Sequence, residues 1–125
     1  MKVPEKYYDE IFDFKGQWDM PSKCGLKSYE LNGKRIIIVT ELYQDNPGTS
    51  VTYAGASLVN QICEAKGYNS ANVIYIECNP DTSSKLSFYD EEFFQVTFSL
   101  ADGKFSGMPQ YKQLSADEIK DLIRL

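Results

Sequence analysis

Two glutamates hold matching places in this chain. Glu41 closes the apolar run Arg35 to Leu42, and Glu77 closes the run Val73 to Cys78. Each is followed four residues later by an aspartate, Asp45 and Asp81. If the two runs are neighbouring strands, these carboxylates share one rim of a sheet. Grouped carboxylate oxygens suit a hard cation such as Mg²⁺. They also suit a pair in which one carboxyl stays protonated and can move a proton. Glu41 and Glu77 are therefore the candidate metal or acid–base residues. Solvated charge at strand ends is the competing reading. No cofactor is expected beyond that Mg²⁺.

The segment after Glu41 reads Asp45-Asn46-Pro47-Gly48-Thr49-Ser50-Val51-Thr52. It joins the end of a strand to the start of a helix, where open α/β sheets place their ligands. Helix N-termini offer free N–H groups to anions. Gly48 would let a backbone approach closely, and Thr49, Ser50 and Thr52 bring hydroxyls. With Asp45 and Asn46 they form the candidate ligand-binding set, facing the Glu77–Asp81 loop. Against an anion stand the acids themselves, the lack of Lys or Arg in the loop, and the absence of GxGxxG or GxxxxGK[ST]. An ordinary turn with an N-cap explains the same residues.

The chain has no histidine, which removes the commonest general base and metal ligand. Cys24, Cys63 and Cys78 are odd in number and widely spaced. No CxxC or zinc spacing exists. They are expected to pack as small apolar residues in a reducing, cytoplasmic setting.

The elements that must position these groups are bounded by local chemistry. Asn32-Gly33 lies between apolar runs and predicts a hairpin. Ile36 to Val39 is continuously apolar, the mark of a strand covered on both faces. Val51, Ala54, Leu58, Ile62 and Ala65 recur at helical spacing, so a helix spans about 51–66. Thr49 or Ser50 would cap its start and Gly67 its end, with Tyr68 following. Ala54-Gly55-Ala56-Ser57 gives close helix–sheet packing, or room for a ligand or a second helix. Val73 to Cys78 is a second buried strand, which predicts a right-handed βαβ crossover. Phe93 to Leu100 and Lys104 onward form a second hairpin across Asp102-Gly103. Ser115 and Glu118 spell a capping box, with Leu114 and Ile119 as its staple. The aromatic segment 1–20 fits either a helix or a strand.

The expected fold is thus α+β in a single domain, 1–125. It has a mixed sheet of about five strands, one βαβ crossover and a C-terminal helix, in two or three layers. Ile36, Ile38, Leu58, Ile62, Ile74, Ile76, Val96, Phe98, Ile119 and Leu122 are expected to form one core.

Length and charge narrow the function. At 125 residues the chain can bury a core unaided. Its net charge of −5 and the lack of a basic cluster argue against nucleic acid. No apolar run is long enough to span a membrane, and no secretory signal is expected. Glu41-Leu42, then Asp45-Asn46-Pro47-Gly48-Thr49-Ser50-Val51-Thr52, resembles E-L-x-D-N-P-G-x-S-V-T at a strand–helix junction of small uncharacterised bacterial proteins. Tyr43-Gln44 makes the spacer here one residue longer. The resemblance implies a bacterial cytoplasmic source and no particular activity. Nine tyrosines and seven phenylalanines exceed what a core needs, and tyrosine is enriched at interfaces. The sequence therefore favours a small non-enzymatic cytoplasmic interaction protein with an aromatic, acidic surface, binding a protein partner or itself. The alternative is a small-ligand, phosphate or metal-binding protein or enzyme with its site at the two loops.

Overall fold

The structure, a computed structural model, describes residues 8–42, 51–79 and 92–123. Expectations for 43–50 and 80–91 lie outside the described residues. Six strands form one mixed sheet in chain order: β1 (Glu10–Lys15), β2 (Pro21–Leu31), β3 (Lys34–Glu41), β4 (Val73–Asn79), β5 (Glu92–Ala101) and β6 (Lys104–Gln113). Helix α1 (Val51–Lys66) lies in the connection from β3 to β4, and α2 (Ala116–Ile123) ends the described chain. Among the described residues, only the β3–β4 ladder is parallel. The expectation of about five strands is corrected to six among the described residues, because residues 10–15 of the aromatic arm form β1.

The local signals explain most boundaries. Asn32 and Gly33, and again Asp102 and Gly103, take positive φ, as tight hairpin turns require. At the end of α1, Gly67 has φ +72° and the Tyr68 amide donates to the Cys63 carbonyl at 3.0 Å. This satisfies a carbonyl that the helix leaves open. At α2 the box is complete. Ser115 N donates to Glu118 Oε1 at 3.1 Å, and Glu118 N donates to Ser115 Oγ at 3.2 Å. Leu114 and Ile119 are both buried.

Two helices on opposite faces make three layers, and the apolar residues divide between them. On the α1 face Phe14, Leu26, Ile37, Val39, Leu58, Ile62, Val96 and Phe98 pack together. On the α2 face Tyr8, Ile36, Ile38, Leu42, Ile76, Phe93, Leu114 and Ile119 do so. Ile74 and Leu122 are only partly buried. The single core expected from the sequence is thus two, because alternate residues of β3 and β4 point to opposite faces.

The sheet curls around α1. Asn60 Nδ2 donates to the Phe105 carbonyl of β6, and the Phe105 amide donates to Asn60 Oδ1, both at 2.8 Å. The next residue, Gln61, holds Lys15 of β1 in the same two-bond fashion, at 2.8 and 2.9 Å. A flat sheet of six strands would set these edges about 24 Å apart. Neighbouring residues on a helix about 10–12 Å across reach both edges only if the sheet wraps it.

Candidate functional site

The carboxylates arise from strand periodicity. Alternate residues share a face, so Val39 and Glu41 on β3, and Tyr75, Glu77 and Asn79 on β4, all face α1. The parallel register pairs Ile37 with Tyr75 and Val39 with Glu77. Glu41 therefore lies one alternation beyond Glu77, on the neighbouring strand and at the carboxyl end of both. The structure brings together these two sequence-predicted residues, and it buries them. Glu77 is 1% exposed and Glu41 is 7% exposed. The reading of them as solvated strand-end charge is corrected: the curled sheet and α1 enclose this face.

Burial sets the electrostatics. Removal from water pushes the Glu77 carboxyl up to about 7, and the nearby Glu41 carboxylate pushes in the same direction. The Tyr75 hydroxyl pulls the other way. The phenol is itself held well above its ordinary value, first by burial and then by Glu77. The Tyr75 hydroxyl and the Glu77 carboxyl interact as hydrogen-bonding neighbours, although the Tyr75 hydroxyl and Glu77 Oε1 fall short of ideal bonding geometry. Asn79 Oδ1, the next residue on this face, is buried and unpartnered too. An unmade hydrogen bond at a buried polar atom costs about 1–3 kcal/mol, and more for a charge. Three such atoms in a row on β4 are an unusual concentration.

The surroundings are otherwise apolar or weakly acidic. Leu26 and Val39 flank Glu77 across the ladders on one side and Phe94 on the other. Cys24, paired with Glu41 in the β2–β3 register, has its thiol pushed up by burial and then by Asp13. Tyr111 on β6 is raised by burial and by Glu77. Among the described residues, no group of three or more His, Cys, Asp and Glu is placed to hold a metal ion.

The remaining sequence-predicted residues are not assembled here. Asp45, Asn46, Gly48, Thr49, Ser50 and Asp81 lie outside the described residues, and Thr52 is exposed on the first turn of α1. The small-residue run is a helix break: Gly55 has φ +50° and ψ −129°, and a Cβ there would sit 3.9 Å from the Phe98 ring. That is ordinary van der Waals contact between the helix and the sheet. Sequence reasoning missed Tyr75 and Asn79. The signal was their two-residue spacing from Glu77, which fixes them to the same face.

A cleft of about 270 Å³, with Tyr75 and Val96 in its lining, opens where β5 parts from β4. Its lining carries no charged side chain. The exposed aromatics are scattered. Trp18 is 86% exposed in the short 3₁₀ turn between β1 and β2, Tyr53 lies on α1, and Tyr111 lies on β6.

No family model, curated protein or solved structure matches this chain. The class is therefore defined by geometry alone: an α+β protein with a mixed sheet curled round one helix and a buried carboxylate pair inside the curl. Among the described residues, no helix is long and apolar enough to cross a membrane.

Proposed function

We propose that this chain is a small-ligand-binding protein whose site is the Glu41–Glu77 pair at the carboxyl end of β3 and β4. One observation carries the reading. Glu77 Oε1 is buried beside a second carboxylate and has no hydrogen-bond partner. A buried carboxylate is costly unless something meets it. A proton meets it in the free protein, and a ligand bearing donors or positive charge meets it in the complex. An anionic ligand is disfavoured by the neighbouring Glu41 and by the unpartnered acceptor of Glu77, so the phosphate alternative gives way. The three cysteines are buried and in no disulfide, which supports a reducing, cytoplasmic setting.

The test is a fragment screen on the ¹⁵N-labelled chain, read by amide shifts. Cationic or donor-rich fragments should move the amides of Thr40 to Leu42 and Tyr75 to Asn79. Hits that cluster anywhere else contradict the proposal.

A second reading, the interaction protein with a protein partner or a second copy, is favoured by Trp18. Its φ of +59° is costly for a bulky side chain, and the following Asp19 is also at positive φ. Strain held at an exposed tryptophan suits a residue kept for contact. The sheet edges argue against dimerisation by strand pairing. Gly107, Met108 and Pro109 bulge out of β6, and β1 is short and charged.

A further inference from the structure

Strand β5 has two neighbours over only part of its length. Its ladder with β4 ends at the Tyr75–Val96 pair, whereas its ladder with β6 runs on to Ala101 and Lys104. Beyond Val96, the β5 peptide groups that turn toward β4 have no ladder to join. Asn60 fixes which groups these are. Its side chain takes both the N–H and the C=O of Phe105, so Phe105 turns them away from β5. Opposite residues of an antiparallel ladder either bond to each other or both point away. Leu100 lies opposite Phe105 and thus presents its N–H and C=O to the β4 side. The irregularity of this ladder lies in β6, at Gly107, Met108 and Pro109, so β5 keeps its alternation and Phe98 points the same way. Among the described residues, the β4 register gives neither of them a partner.

Both residues line the cleft of about 270 Å³. Ile74, Val96 and Phe105 add apolar wall, and among the described residues no charged side chain lines it. One end is closed by the Tyr75–Val96 pair. At the other, the Ser70 hydroxyl donates to the Gly103 carbonyl at 2.7 Å. A cleft closed at both ends suits a small molecule and not a strand running through. A cavity of about 150 Å³ holds benzene, so one substituted ring fits here.

The molecule shows twice what satisfies a single open strand residue. A carboxamide, with N–H and C=O side by side, bonds the C=O and N–H of Phe105 through Asn60 and of Lys15 through Gln61, at 2.8 to 2.9 Å. An ion entering the cleft would give up its water for a lining without opposite charge. A hydrocarbon would leave the peptide groups unmet.

We propose that this cleft binds a small, flat, uncharged amide, its N–H and C=O engaging the C=O and N–H of Leu100 and its ring lying between the apolar walls.

The test titrates 2-pyridone, a flat lactam with one N–H, into the full ¹⁵N-labelled chain. N-methyl-2-pyridone, toluene, benzoate and benzylammonium are separate arms. The expected result is a saturable shift of the Ile74, Phe98 and Leu100 amides with 2-pyridone. N-methyl-2-pyridone, which lacks the N–H, should bind about tenfold more weakly. Leu100→Ala keeps the peptide group and trims a half-exposed wall, and should weaken 2-pyridone by about fivefold. Benzoate and benzylammonium should leave the three amides in place. The proposal is overturned if N-methyl-2-pyridone or toluene binds as tightly as 2-pyridone, if a charged arm moves the three amides as strongly, or if they stay silent with 2-pyridone. These amides lie outside the segments that report on Glu41 and Glu77, so the two sites are read apart.

Discussion

Asn60 and Gln61, neighbours on α1, hold the two opposite edges of the sheet, each by a pair of hydrogen bonds to the N–H and C=O of one residue. The pair closes the sheet round the helix, and that closure keeps Glu41 and Glu77 out of water. It also occupies the N–H and C=O of one residue on each edge strand, where unpaired groups invite association.

Loss of one clamp should therefore be felt at its own edge. Asn60→Ala leaves two part-buried backbone groups of Phe105 without their partner, at a cost of about 1–3 kcal/mol. Gln61→Ala acts at a more exposed edge and should cost less. Hydrogen exchange checks this: the Phe105 amide should lose protection in the first variant and the Lys15 amide in the second.

Gly25 is required by its neighbour. A Cβ there would lie 2.6 Å from the Tyr8 ring, which caps the α2-side core. Gly25→Ala should displace Tyr8 and destabilise the fold by about 1–3 kcal/mol. Thermal unfolding alone and with Tyr8→Ala measures the coupling, and the two effects should not add.

Much of this architecture was readable from the sequence where the controlling chemistry is local. Gly67, the Ser115–Glu118 box and the two turns with Gly33 and Gly103 mark their own boundaries. The limits of α1 and the rim position of Glu41 and Glu77 followed. What escaped depends on distant partners. Phe12 and Phe14 become a strand only because β2 pairs with them, across a turn that holds Trp18 at positive φ. The curl rests on Gln61 meeting a residue 46 positions away. The core divides because Ile36 and Ile37 serve different faces, which a continuous apolar run does not reveal. Burial of Glu77 depends on the same curl, so its sequence signal looked like surface charge.

The thiols should be silent. Cys24, Cys63 and Cys78 are buried and in no disulfide, and burial raises the pKa of Cys24 and Cys63. Reducing agent should leave the melting temperature unchanged. Iodoacetamide at pH 8 should label the three cysteines only after denaturation.

Trp18→Asn relieves a left-handed tryptophan with a residue that accepts that conformation. It should raise stability by about 0.5–1 kcal/mol. A loss of stability would show that Trp18 packs in the fold and would remove the argument for a contact role.

The Glu77 carboxyl links stability to pH. Its value is about 7 when folded against an ordinary 4.5. Below about pH 4.5 it is protonated in both states and costs nothing through ionisation. As pH rises toward 7 the unfolded chain gains by ionising first, so stability falls, by about 3 kcal/mol in all. Glu77→Gln should flatten this decline, so its advantage over the natural chain in chemical denaturation grows from pH 5 to pH 8.

The account stands most directly on the proton held by Glu77. The carboxyl carbon of that residue can be followed by ¹³C NMR from pH 3 to pH 9 in the natural chain and in Glu41→Gln. The account predicts a midpoint near 7 that drops when Glu41 loses its charge, yet stays above 4.5 because burial is the larger cause. A midpoint at the ordinary carboxylate value, indifferent to Glu41→Gln, would contradict it.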